Sequence, residues 1–72
     1  MSGLPTRAQI DARARNWRIR CLRSLWAQCH MLSPNRAEEA RSIIDAELRS
    51  IGAEGERDRR LRQEAEVWGA VA

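Results

Sequence analysis

Residues 33–56 read SPNRAEEARSIIDAELRSIGAEGE, and this stretch decides the fold because it contains two helix boundaries. Ser33 suits an N-cap, and Pro34 suits the first position of a helix. Gly52 suits the left-handed residue that follows a helix, and Gly55 marks a second break. The stretch therefore predicts a helix over 34–51, followed by a short connection.

The sequence on either side of this stretch completes an all-α chain. Pro5 and Thr6 begin a first helix over about 6–31, and a third helix follows over about 56–69. No segment alternates with a period of two, and residues that favour strands are few. We therefore expect a single helical domain over 1–72, a three-helix module that oligomerisation completes as a helical bundle.

The short chain limits how much apolar surface folding can bury. A compact monomer of 8.3 kDa exposes roughly 4,500 Å² and buries only about 60% of the surface of its unfolded chain. At this size, the gain from burial and the entropy cost of ordering the chain nearly cancel. We therefore expect self-association, as a dimer or a larger homo-oligomer, or a protein partner to contribute stability.

Charge is distributed unevenly along the chain, whose formal net charge is +3. All 13 basic residues are arginine, which excludes Schiff-base lysine chemistry and the phosphate-binding lysine of P-loops. Residues 1–33 carry six arginines against Asp11, a net +5, whereas residues 34–72 carry seven arginines against nine acids, a net −2. This asymmetry indicates either an anionic partner for the first helix or ion pairing within and between chains.

Cysteine usage and hydropathy predict the compartment. Cys21 and Cys29 are eight residues apart on the predicted first helix, about 12 Å along its axis, which is too far for a disulfide. No apolar run approaches the length of a membrane span, and no signal peptide is recognisable. We therefore expect reduced thiols, a cytoplasmic location and no membrane partner.

The sequence offers no pattern typical of a catalytic, cofactor or metal site. Cys29 and the adjacent His30 diverge by about 100° on a helix, Cys21 lies two turns away, and there is no second histidine. Buried small apolar residues are the simpler interpretation of both cysteines. The acidic residues stand beside arginines at helical spacing, which is typical of ion-paired solvated faces. We expect no enzymatic activity, no cofactor and no metal.

The apolar residues of the first helix lie on two faces. The main stripe contains Ile10, Ala14, Trp17, Cys21, Leu25 and Leu32. The third helix has an apolar face of its own, formed by Leu61, Ala65, Trp68 and Ala72. We expect these faces to meet in the core, with Trp17 and Trp68 clamping the third helix to the first. Four apolar residues then remain for an oligomer or partner interface: Ile19, Trp26, Ile43 and Val67. The alternative to this clamp, which Gly52 and Gly55 also permit, is a third helix that extends away and presents Trp68 to a partner.

Tryptophan and arginine together are typical of protein interfaces. We therefore interpret the chain as a small interaction protein, a regulator, inhibitor or assembly subunit, that binds another macromolecule through one helical surface. The residues expected to form that surface are Trp26, Ile19, Arg15, Arg18 and Arg23.

Nucleic-acid binding is the alternative hypothesis. The first helix combines arginines with Asn16 and Trp17, a composition typical of helical RNA-binding peptides, although its charges are scattered around the helix. The candidate contacts are Arg13, Arg15, Arg18, Arg20 and Arg23. A helix-turn-helix over Ile43 to Leu61 fits less well, because Glu47 and Asp58 would occupy positions that this motif fills with buried apolar residues.

Overall fold

The chain is described by a computed structural model that covers residues 3–71. It contains three α-helices, α1 (Arg7–Gln28), α2 (Pro34–Ser50) and α3 (Glu56–Val71), with one 3-10 turn at Cys29–Met31. No residue in the described range belongs to a strand. The predicted all-α class with three helices is confirmed. Ala72, which was expected on the apolar face of the third helix, lies outside the described residues.

The N-terminal ends of α1 and α2 both lie where local sequence signals place them. Thr6 is the N-cap of α1, where Gln9 N donates to Thr6 Oγ1 at 3.2 Å and Thr6 N donates to Gln9 Oε1 at 2.9 Å. This reciprocal pair is a capping box. Pro34 lies in the first turn of α2. Ser33 is the N-cap residue of this helix, but its side chain makes no capping hydrogen bond.

Gly52 ends α2 in a Schellman motif. Its φ is +79°, the left-handed conformation in which glycine has no steric cost. Gly52 N donates to Arg49 O at 3.0 Å, and Ala53 N donates to Leu48 O at 2.9 Å. These two bonds satisfy carbonyls that the helix end would leave unpaired, and they turn the chain towards α3.

The core is small and lies where α1, the 3-10 turn and α2 meet. Its buried apolar residues are Trp26, Cys29, Ala37 and Leu48. Two carboxylates, Asp45 and Glu56, are buried beside them.

Within the described residues, the hydrogen bonds and ion pairs that join α3 to the rest of the chain end at Arg62, in the second turn of the helix. Every residue from Leu61 to Ala70 is exposed, whereas Glu56 is buried. The radius of gyration is 16.0 Å, against about 11 Å for a compact chain of this length. The accessible surface is 5864 Å², which exceeds the roughly 4,500 Å² of a compact monomer by more than about 1,000 Å². The chain is therefore elongated, and much of its apolar surface is uncovered.

Candidate interaction surface

The inner face of α1, defined here by Arg15, Arg18, Ile19, Arg23 and Trp26, packs against the other helices. Arg15 reaches the C-terminal end of α2, where its Nε donates to Ile51 O at 2.9 Å and its Nη2 donates to Gly52 O at 3.1 Å. Carbonyls at a helix end lack intrahelical donors and carry partial negative charge, so a guanidinium is well placed there. Arg15 thus fastens α1 to α2.

Two more inner-face arginines make ion pairs within the chain. Arg18 pairs with Glu47 of α2, and Arg23 Nε lies 3.5 Å from Glu56 Oε2 at the start of α3. Because their guanidinium groups are held by these carboxylates, Arg18 and Arg23 contribute to packing between helices in the free chain.

Trp26 is the central side chain of the inner face and is only 8% exposed. The guanidinium carbons of Arg41 and Arg60 lie 4.5 and 4.6 Å from its ring centroid, and Arg41 Nε donates to Trp26 O at 3.5 Å. Cations over an indole face are attracted by the ring quadrupole. The tryptophan is therefore covered by arginines from α2 and α3.

The expectation that Trp26 and Ile19 lie on an exposed surface is wrong. Trp26 is buried and Ile19 is half-buried. The apolar pattern of α1 alone could not reveal this, because arginines that are distant in sequence cover the ring and carboxylates on α2 and α3 hold the neighbouring arginines.

Glu56 anchors the first turn of α3. It is 1% exposed, and its carboxylate accepts hydrogen bonds from Arg59 Nη2 at 2.9 Å and Arg60 Nε at 3.2 Å. Asp45 Oδ1 accepts a hydrogen bond from Glu56 N at 2.7 Å. Several cationic partners compensate for burying this charge, which fixes where α3 begins.

The outer face of α1, defined by Ile10, Ala14, Trp17, Cys21 and Leu25, points to solvent. Trp17 is 65% exposed, and the other four residues are exposed as well. The expectations that this stripe forms the core and that Cys21 is buried are wrong. The physical reason is that α2 and α3 cover one face of α1, and the inner face makes ion pairs with them in addition to apolar contacts.

The apolar face of the third helix, which was also expected in the core, is exposed as well. We define the α3 seam as Leu61, Ala65 and Trp68, all of which are exposed. Trp68 is 66% exposed, so the expected clamp between Trp68 and α1 is absent from the described residues. The predicted exposure of Ile43 and Val67 is confirmed.

Two arginines accompany the outer face. Arg20 lies over Trp17 with 5.9 Å between its guanidinium carbon and the ring centroid. Within residues 3–71, neither Arg13 nor Arg20 forms an ion pair. Of the five arginines expected to contact nucleic acid, only these two stand beside the outer face, and the other three bind within the chain.

An open apolar groove continues from the outer face towards α2. Its volume is about 310 Å³, and Leu25 belongs to both surfaces. The groove is also lined by Met31, Leu32, Ala40 and Ile44. Uncovered apolar surface therefore extends along most of α1.

Cys29 and His30 both bond to nearby backbone carbonyls. Cys29 is buried, as predicted, and its Sγ donates to Leu25 O at 3.3 Å. His30 Nδ1 lies 2.8 Å from Ala27 O. In the part of the chain that the structure describes, no three His, Cys, Asp or Glu side chains are grouped so that they could hold a metal ion.

Exposed ion pairs shift the pKa of three groups. The hydrogen bond from Arg62 holds the pKa of Glu54 below its ordinary value, and the charges of Arg62, Arg23 and Arg59 act in the same direction. Hydrogen bonds to Glu54 and Glu66 raise the pKa of Arg62. A hydrogen bond to Glu38 raises the pKa of Arg57. The pairs with Glu54 and Glu38 attach α3 to the Gly52–Gly55 connection and to the first part of α2.

Comparison with known proteins yields no relative. The chain matches no protein-family model and shows no significant similarity to any curated protein or solved structure. None of the helices within residues 3–71 combines the length and hydropathy needed to cross a membrane.

Proposed function

We propose that this chain is a small non-enzymatic interaction protein whose outer face binds an amphipathic helix that carries acidic residues beside its apolar stripe. The observation that carries the proposal is the exposed row of Ile10, Trp17 and Leu25 on α1. Large apolar side chains aligned on one helix face are typical of a surface that another helix covers.

The amount of uncovered surface supports binding to a macromolecule. The chain exposes more than about 1,000 Å² beyond a compact monomer of its mass, and a standard protein interface buries about 800 Å² on each partner. Tryptophan and arginine are enriched among the residues that dominate interface energetics, and Arg20 lies over Trp17 on this face.

The charges beside the outer face support an acidic partner. Arg13 and Arg20 flank Trp17 on the same side of α1 and form no ion pair within residues 3–71. Carboxylates on a partner helix would pair with these guanidinium groups at the rim, while the apolar stripes meet at the centre.

Nucleic acid is a weaker candidate for the same surface. A binding helix concentrates its arginines towards the phosphates, whereas Arg15, Arg18 and Arg23 are held by α2 and α3. Two arginines remain on the outer face, which would give only a shallow dependence of affinity on salt.

A photo-reactive amino acid at position 17 tests the proposal in the cells that produce the protein. We expect protease-sensitive, nuclease-resistant adducts from position 17. The matched control is the same group at Asn16, which is exposed on another side of α1. The double variant R13E/R20E should lose most of the adduct. Nuclease-sensitive adducts would favour the nucleic-acid alternative, and equal yields from positions 16 and 17 would overturn the proposal.

A further inference from the structure

The α3 seam repeats the spacing of the outer face of α1. Ile10, Ala14 and Trp17 are separated by four and then three residues, and so are Leu61, Ala65 and Trp68. Each set runs from a branched aliphatic residue through alanine to tryptophan. Both sets are exposed in the same chain, so neither covers the other within one molecule.

The charges beside the two seams are opposite at matching positions. One residue after the first apolar residue, α1 has Asp11 and α3 has Arg62. Three residues after it, α1 has Arg13 and α3 has Glu64. These positions flank an apolar seam on its two sides, where charged residues decide the partner and orientation of paired helices.

The flanking charges select one orientation. When two helices face each other antiparallel, the same flank of each helix meets, which brings Arg13 to Glu64. When they run parallel, opposite flanks meet, and Arg13 then faces Arg62 while Asp11 faces Glu64. Like charges in these places are unfavourable. The pattern therefore favours antiparallel pairing.

The sizes of the seam residues fit the same orientation. Reversing α3 sets Trp68 opposite Ile10, Ala65 opposite Ala14 and Leu61 opposite Trp17. The two alanines at the centre allow the helix axes to approach closely, and a tryptophan then covers an aliphatic residue at each end.

We infer that the amphipathic helix bound by the outer face is α3 of a second copy of this chain, packed antiparallel to α1, with Glu64 as the carboxylate beside its apolar seam. The inference rests on the proposed function and names its partner. If α3 of each copy packs on the outer face of the other copy, each outer face and each α3 seam is covered once. More than about 1,000 Å² of excess surface per chain is enough for a standard interface.

A charge exchange between Arg13 and Glu64 tests the pairing. Neither residue forms an ion pair within residues 3–71, so changing either one leaves the internal contacts of the chain intact. In sedimentation equilibrium at low salt, R13E and E64R should each weaken self-association by about three- to fivefold per contact. The double variant R13E/E64R should regain the affinity of the parent chain. The matched control R36E, at an exposed site on α2, should leave it unchanged.

The apolar side of the contact has a control on the same helix. Leu61 and Val67 are 58% and 62% exposed on different sides of α3. We expect L61A to weaken self-association at least tenfold and V67A to change it by less than about twofold, with unchanged helicity in both variants.

Several outcomes would overturn the inference. One is a chain that stays monomeric at every attainable concentration. Another is tighter association of R13E, as expected for parallel helices, and a third is failure of R13E/E64R to recover. A monomeric chain that still gives protein adducts from position 17 in cells would reject self-pairing and retain the proposed function. Absence of both self-association and adducts would reject the two proposals together.

Discussion

The carboxylate of Asp45 accepts a 2.7 Å hydrogen bond from the backbone N–H of Glu56, so a residue in α2 caps the first turn of α3. Both residues are buried. A helix normally finds its N-cap in the residue just before it, but here Gly55 occupies that place and offers no side chain. The cap therefore comes from another helix, and helix formation in α3 depends on tertiary contact.

Replacing Asp45 by alanine should loosen α3 without unfolding α1 and α2. Loss of a buried charged hydrogen bond and of a helix cap costs about 2 kcal/mol. Amide hydrogen exchange should become faster throughout Glu56–Val71 and change little in α1. The control is D58A, at an exposed position in the first turn of α3. Equal exchange rates in D45A and the parent chain would contradict the assigned cap.

Two tryptophan substitutions in α1 should have different effects on stability. Trp26 is packed beneath Arg41 and Arg60, so W26A should lower the free energy of unfolding by about 3 kcal/mol or more. Trp17 is exposed, and W17A should change it by less than about 0.5 kcal/mol. Urea denaturation at low protein concentration, where association is negligible, measures both. Similar losses in the two variants would show that the outer face is packed within the monomer.

Two glycine substitutions should change stability in opposite directions. Gly52 has φ +79°, so G52A places a side chain in the left-handed region and costs about 1–2 kcal/mol. Gly69 lies inside α3 with open space around it, so G69A should stabilise the helix by about 0.5–1 kcal/mol. Thermal denaturation followed by circular dichroism compares the two midpoints with that of the parent chain. A rise in the midpoint of G52A would contradict the Schellman ending of α2.

Acid should weaken the attachment of α3 through Glu54. The hydrogen bond from Arg62 lowers the pKa of Glu54 in the folded chain. Its contribution is therefore complete above the unfolded-state pKa of about 4.3, and it is lost as pH falls through the lower folded-state value. We expect E54Q to be less stable than the parent chain at neutral pH, with the difference vanishing in acid. Denaturation midpoints measured over this range give the comparison. A difference that stays constant with pH would exclude this ion pair as its cause.

Local signals in the sequence were sufficient to predict the helices. Thr6, Pro34 and Gly52 act through their own backbone conformation or through bonds to residues within four positions. Such signals operate wherever the helix lies in the fold, so the boundaries agree with the structure to within a few residues. The predicted third helix ends at Gly69, whereas α3 continues to Val71, because a single glycine weakens a helix without ending it.

The sequence could not show which face of α1 is buried. Apolar periodicity favoured the stripe through Trp17, which is the face that the structure leaves exposed. Residues far away in sequence determine which face is buried. Glu47 pairs with Arg18, Glu56 pairs with Arg23, and carbonyls at the end of α2 accept hydrogen bonds from Arg15. Long-range ion pairs of this kind leave no periodic pattern in a single helix. The exposed pair of apolar seams, which carries the functional proposal, became visible only after this face was known.

The projecting part of α3 has a consequence for how the sequence can vary. Residues 61–70 are all exposed, so the fold of one molecule places little restriction on their side chains, apart from that of Arg62, which pairs with Glu54. Saturation mutagenesis scored by monomer folding should therefore give a nearly flat profile across this segment, except at Arg62 and Gly69 and for substitutions to proline. Scored by biological fitness, the same library should instead show intolerance that recurs with a helical period, at Leu61, Ala65 and Trp68. The difference between the two profiles would measure how much selection acts on this helix because it contacts another molecule.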